Sequence, residues 1–284
     1  MKAKTGGSIY RLNENNESFS SSISRHHTKL IDKIRALKVI NDLSSETLEK
    51  HLASLKEKHR KKVDKLNMKE RMEYDSLGFN IVGLSVPGSG IEEDVNIENH
   101  KVGKIMSEET EMYNHREHVR RASKEMTLVY LVIVFEEYIT GLLSSLFRKR
   151  PEILKSSEKN IPYWEAFQCT DLNELLKEIS KKEVRSRIEL GIDGFNDYLV
   201  RNFKLDLRQN ADWGTFKEVF YRRNIVVHNY GIPDSKYISK TNFKGRRDEW
   251  LEIDNRYINE AFAIFEKYSD EIAHFFHKKY GSHA

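Results

Sequence analysis

MTLVYLVIVFEEYITGLLSSL, residues 126–146, decides the fold. It is apolar nearly all round at helical spacing, which marks a helix surrounded by others rather than one lying on a surface. The most apolar run, residues 128–135, is too short to span a bilayer before Glu136 and Glu137 interrupt it, so no membrane segment is expected. The preceding stretch, SEETEMYNHREHVRRASKE, is charged, and the hydroxyl of Ser107 with Glu108, Glu109 and Glu111 suits a helix N-terminus. The central helix is therefore expected from Ser107 to Phe147.

Upstream, residues 1–24 are rich in Asn, Ser and Gly and are expected to be flexible. Residues 25–75 read as a helical hairpin. Leu30, Ile31, Ile34, Leu37 and Ile40 form one arm and Leu48, Leu52, Leu55, Val63 and Leu66 the other, with Ser44 or Ser45 capping between them. The basic run KEKHRKKVDK reads as a solvated face. Residues 76–106 read as a linker or lid. The PGSG within it is no phosphate-binding loop, because no Gly-Lys-Ser/Thr follows.

Downstream, Pro151 and Pro162 mark a connection, and DLNELLKEISKKEVRSRIELG predicts one or two helices broken at Gly191 and Gly194. FNDYLVRNF is a short helical piece. Residues 213–230 form a helix, a polar loop holding TNFKGRRDE follows, and Ile258, Ala261, Phe262, Phe265, Ile272, Phe275 and Phe276 line a last helix. The fold class expected is all-α: a helical bundle over residues 107–284 with an N-terminal hairpin extension.

The chain has 284 residues, 48 Lys+Arg against 44 Asp+Glu and a formal charge of +4. That balance permits nucleic-acid binding without arguing for it. The single cysteine, Cys169, excludes an intramolecular disulfide and a multi-cysteine metal site, which fits a reducing cytoplasm. The N-terminus lacks the apolar core of a signal peptide, and a cytoplasmic location is expected. His115/His118 and His274/His277 have i,i+3 spacing, but no HExxH or Cys-His set accompanies them, so no metal and no cofactor are expected. Trp164, Trp213 and Trp250 suit core or interface anchoring better than base stacking.

The chemistry concentrates in RRNIVVHNYGIP, residues 222–233. His228 falls in a last helical turn, with Gly231 and Pro233 closing it. Advancing about 100° per residue, Phe216, Val219, Phe220, Val226, Val227 and Tyr230 share a broad stripe, and Arg223 lies inside it. A guanidinium does not shed its proton, so one in an apolar stripe needs a carboxylate, an interface or a phosphate. Asn224 and His228, four apart, share a neighbouring face. In the plainer structural reading, Arg223 pairs with Glu136 or Glu137 and His228 caps carbonyls.

Arg223, Asn224 and His228, in the form RNxxxHN, resemble the Arg-x4-6-His signature of the HEPN domain superfamily. YLVIVFEEYITGLLSSLFRKRPEIL resembles the first core helix of its toxin and defence members. The resemblance covers roughly residues 107–280 and implies a metal-independent endoribonuclease acting as a homodimer or higher oligomer through this domain. The 2′-OH of RNA (tRNA or mRNA) would attack its own phosphodiester, leaving a 2′,3′-cyclic phosphate. His228 would serve as acid or base, Arg223 would stabilise the phosphorane, and Asn224 would orient the phosphate or His228. Arg222, Glu136, Glu137 and Tyr230 would support the site or bind substrate, and an antitoxin or sensor protein is the further partner implied. The rivals are a non-catalytic HEPN-like scaffold and an RNA-binding module without cleavage.

Overall fold

The computed structural model describes residues 18–84, 99–154 and 161–281. The flexible segment expected over residues 1–24 lies outside them as far as residue 17. The described residues are all-α and hold no strand. In chain order the helices are α1 (Phe19–Val63), α2 (Met68–Leu84), α3 (His100–Lys149), α4 (Tyr163–Gln168), α5 (Leu172–Ile188), α6 (Gly191–Phe203), α7 (Trp213–His228), α8 (Ser235–Thr241) and α9 (Asn255–Tyr280).

The hairpin expected over residues 25–75 is corrected. No turn forms at Ser44 or Ser45, and α1 runs through both. The Ser45 hydroxyl donates to the Asn41 carbonyl at 2.9 Å, a bond back along the helix that accommodates serine mid-helix, and neither Gly nor Pro lies nearby to break it. The chain reverses after Val63 instead. There Asn67 accepts the Glu70 N–H at 3.0 Å, while the Glu70 carboxylate accepts the Asn67 N–H at 2.9 Å, a reciprocal cap that opens α2. The linker expected over 76–106 also contracts: α2 continues to Leu84 and α3 starts at His100, with Asn99 Oδ1 accepting the Lys101 N–H. Ser107 therefore lies inside α3 rather than capping it, and residues 85–98 lie outside the described residues.

Two compact units divide the chain: residues up to Leu37 together with Thr127–Ala284, and Lys38–Met126. α1 and α3 contribute to both. In the first unit Phe135 of α3 meets Phe216 and Phe220 of α7 and Phe265 of α9, at centroid distances of 5.5, 5.9 and 5.1 Å. Phe216 stacks flat on Tyr268 at 3.9 Å. α3 is the one described helix long and apolar enough to cross a bilayer, since Glu136 and Glu137 interrupt its apolar run without ending it. Within this unit Leu128, Leu131, Val132, Leu142 and Leu146 are fully buried.

The start of α1 belongs to this core, so the domain expected to begin at residue 107 also takes in residues 18–37. Phe19, Ile23, Leu30, Ile34 and Leu37 are buried in the same cluster as Phe135. His26 sits so close to Gly141 that a Cβ there would lie 2.4 Å from its Nδ1, and its Nε2 is 3.1 Å from Ser145 Oγ. Gly194 does not break the chain as expected. It lies inside α6, whereas Gly191, at φ 74°, marks the start of that helix.

The second unit has a thinner core with a charge inside it. Lys124 is buried, and its ammonium donates to Asn41 Oδ1 at 2.7 Å and Ser45 Oγ at 3.2 Å, both neutral. Burial pushes this lysine below its ordinary range, while Asp42 works in the opposite direction. Replacing both Lys124 and Asn41 by leucine is expected to raise stability by about 1–3 kcal/mol, because the desolvation of a buried charge hydrogen-bonded only to neutral groups disappears. Chemical denaturation of the double variant checks this; a lower midpoint would mean that the polar contact is net stabilising. The basic run of α1 is a solvated face, with Arg60 and Lys61 paired to Glu57 and Lys62 to Glu108.

Candidate functional site

α7 starts after Asp212, whose carboxylate accepts from Lys267 at 2.5 Å and from the Tyr268 hydroxyl at 3.1 Å, tying the helix to α9. Phe216, Val219, Phe220, Tyr221 and Ile225 are its buried residues. Phe135 packs on Phe216 and Phe220, which brings the next α3 residue, Glu136, opposite the following turn of α7. Arg223 occupies that turn. Its Nη2 donates to Glu136 Oε1 at 2.5 Å, with both side chains less than a third exposed (21% and 28%).

The pair leaves the arginine only partly satisfied. Arg223 Nε is sealed from solvent and has no hydrogen-bond partner among the described residues. Burial pushes the Glu136 carboxyl above the usual carboxylate range, and the adjacent Arg223 offsets only part of that rise. The structure therefore separates the two glutamates. Glu136 holds the arginine, whereas Glu137 is exposed and pairs with Lys33 of α1.

Arg223, Asn224 and Glu136 line a cavity of about 540 Å³. Its apolar wall includes Phe135, Ile139 and Phe220, and its polar side includes Asp193, Lys236 and Lys240. Asp193, in the first turn of α6, accepts from the Tyr221 hydroxyl at 2.8 Å and lies 3.7 Å from Lys240 and 3.9 Å from Lys217. These residues went unnoticed in the sequence. Asp193 stands between two glycines with no motif around it, and α8 carried only the weak signal of Asp234, which caps it by accepting the Tyr237 N–H at 2.6 Å.

His228 is the last residue of α7, is exposed, and is not among the residues lining the cavity. The turn beyond it is well fixed. Asn229 Nδ2 donates to the Ile232 carbonyl at 2.7 Å, and the Gly231 N–H donates to the Ile225 carbonyl at 2.9 Å. Tyr230 and Gly231 both have positive φ, 53° and 76°. This corrects the expected stripe: Val227 is 50% and Tyr230 85% exposed, because the buried face of α7 ends at Ile225 and Tyr230 lies past the helix in the left-handed turn.

Arg222 does not face outward. Its guanidinium donates to Glu218 Oε1 at 2.6 Å, the Glu252 carbonyl at 3.0 Å and the Tyr237 hydroxyl at 3.3 Å, and it lies over the Tyr257 ring at 4.3 Å. Both tyrosine hydroxyls donate to Glu218, at 2.5 and 2.7 Å. This network joins α7 to α8 and α9 and leaves Arg222 without a role at the cavity.

Of the seven residues singled out in the sequence, Arg223, Asn224 and Glu136 converge on the cavity, while Arg222, Glu137, His228 and Tyr230 do not line it. Among the other histidines, His277 lies 3.1 Å from Ser20 Oγ and 3.2 Å from Ser24 Oγ, and His27 is 2.8 Å from Asp270. Of the tryptophans, Trp213 packs on Phe216 and Tyr268, whereas Trp164 is 61% exposed. Comparison with protein-family models, curated proteins and solved structures finds no match.

Proposed function

We propose that this chain is a metal-independent endoribonuclease that cuts RNA through its own 2′-hydroxyl. The 2′-oxygen attacks the adjacent phosphorus as its proton is removed, and the P–O5′ bond breaks as the 5′-oxygen takes up a proton. The products are a 2′,3′-cyclic phosphate and a free 5′-hydroxyl. His228 moves a proton at one of those oxygens, and the Arg223 guanidinium meets the charge that builds on the phosphorane. Two copies of the site, one from each member of a dimer, would supply both an acid and a base. A toxin or antiviral effector is the setting that goes with such an activity.

The observation that carries this reading is a largely buried arginine with unmet hydrogen-bonding capacity, five residues before an exposed histidine on the same helix. A purely structural arginine has little reason to leave a sealed N–H without an acceptor, since that costs about 1–3 kcal/mol. The Glu136 pair favours a second reading, a non-catalytic helical interaction module in which Arg223 only joins α3 to α7.

Purified wild type and His228→Ala, incubated with tRNA and total RNA in EDTA, separate the two. Wild type is expected to leave cyclic phosphate ends and to spare DNA, and the variant to lose about 10²–10⁴-fold in rate. Because His228 is exposed, its removal is expected to leave the unfolding midpoint unchanged. RNA left intact by both proteins would favour the interaction module, and equal cleavage by both would exclude His228 from the chemistry.

A further inference from the structure

We infer that α8 and the loop after it, residues 235–250, form a cationic strip that holds the phosphates on either side of the one that is cut in a single-stranded RNA. The inference rests on the RNA-cleavage reading and adds to it a binding surface made by residues outside the Arg223–His228 segment.

The strip adjoins both ends of that segment. Lys236 and Lys240, four apart on one face of α8, line the same cavity as Arg223 and Asn224. α8 ends at Asn242 in the left-handed conformation, and the Phe243 ring packs edge-on against the Tyr237 ring at 5.7 Å, which fixes the start of the loop. Lys244, Arg246 and Arg247 follow, all exposed. The far end of the loop is fixed as well. There the Leu251 N–H donates to the Gly231 carbonyl at 2.9 Å, in the turn just past His228. The chain from Tyr237 to Leu251 thus leads from the arginine side of the site to the histidine side.

The charge along this stretch is unbalanced. Residues 235–250 hold Lys236, Lys240, Lys244, Arg246 and Arg247 against only Asp248 and Glu249. Glu249 pairs with Arg246 at 2.6 Å, and Asp193 of α6 lies 3.7 Å from Lys240. Lys236, Lys244 and Arg247 make no ion pair among the described residues. The basic run of α1 differs, because Arg60, Lys61 and Lys62 each face a carboxylate. Like charges held in a fixed stretch repel one another, and a polyanion laid along them relieves that repulsion and releases its own counterions. Accessible rings stand at the histidine end, with Trp250 40% and Tyr230 85% exposed. Unpaired bases stack on such rings. An acidic protein segment would use the cations and leave the rings bare, whereas a single strand of RNA brings phosphates and bases together.

Lys236→Gln/Lys244→Gln/Arg247→Gln removes the three unpaired charges without touching a buried side chain. The probe is a fluorescein-labelled single-stranded RNA of mixed sequence with every 2′-oxygen methylated, which cannot be cut, measured by polarisation on the full chain at increasing KCl. Wild type is expected to bind it, and the triple variant to bind about tenfold more weakly, with a log–log salt slope shallower by about 2. The unfolding midpoint should stay at the wild-type value. Lys236→Arg/Lys244→Arg/Arg247→Lys keeps the charges and should bind as wild type does. So should Arg60→Gln/Lys61→Gln/Lys62→Gln, which lowers the net charge equally on α1.

No RNA binding by wild type, an unchanged slope in the triple variant, or an equal loss in the α1 variant would each overturn the inference. Capture of phosphatidylserine vesicles through the same three residues, with RNA unbound, would overturn it in favour of a membrane surface. The cleavage assay fails separately. There the triple variant should raise KM about tenfold and keep kcat within about twofold, since the strip holds the substrate and does not touch the reacting atoms. Binding that depends on the strip without any cut RNA would leave the strip standing and remove the nuclease reading, whereas cleavage with KM unchanged in the triple variant would remove the strip alone.

Discussion

Glu136→Ala is expected to destabilise the protein by about 2–3 kcal/mol, while replacing Glu136 and Arg223 together by leucine restores stability to within about 1 kcal/mol of wild type. The asymmetry follows from where the pair sits. Phe135 is locked among Phe216, Phe220 and Phe265, so the backbone of α3 cannot shift to bring Arg223 another acceptor. Removing only the carboxylate leaves a guanidinium largely buried, with Nε already without a partner. The cost stays at the lower side of that for breaking a buried pair because both groups keep some contact with solvent. Removing both charges removes the desolvation as well, and the two leucines place apolar surface on facing positions of α3 and α7. Denaturant titrations of the two variants provide the check. If Glu136→Ala is as stable as wild type, water satisfies Arg223 and the pair does not hold α3 to α7. The double variant also separates fold from function: under the nuclease reading it should be folded and inactive.

A chain beginning at Lys38 is expected to lose cooperative unfolding altogether. It lacks Phe19, Ile23, Leu30, Ile34 and Leu37, each buried in the cluster that surrounds Phe135. Fully burying each such side chain stabilises by about 1.5–3 kcal/mol. Five of them together are comparable to the net stability of an ordinary domain, about 5–15 kcal/mol. Their loss also uncovers the apolar surface of α3 near Gly141, where His26 lies in contact. Circular dichroism should still report helix, while thermal unfolding should become broad. The single substitution Ile34→Ala gives a graded version, with an expected cost of about 2–5 kcal/mol. A sharp transition in the shortened chain would show that residues 18–37 are an addition to the bundle rather than part of it.

What the sequence determined by itself follows from local rules. Periodicity identified α3 as a helix of the core, though not one surrounded on every side, since Met126, Tyr130 and Ile133 are exposed along it, and it identified the buried spacing of α9. It also exposed Arg223 as a conflict, since a permanent charge inside an apolar stripe is visible at 100° per residue whatever the fold. Local rules misplaced the breaks. Ser44, Ser45 and Gly194 are residues that caps and turns prefer, yet all three lie inside helices, because one backbone hydrogen bond or a packed neighbour outweighs so weak a preference. Only the tertiary structure decided the partners. Glu136 and Glu137 are adjacent and identical in type, and nothing local distinguishes them. Successive residues on a helix point about 100° apart, so one faces Arg223 of α7 and the other faces Lys33 of α1. The cavity is hidden from the sequence for the same reason. Asp193, Lys240 and Asn224 come from three different helices, and their proximity depends on how α6, α7 and α8 pack, which no spacing along one helix encodes.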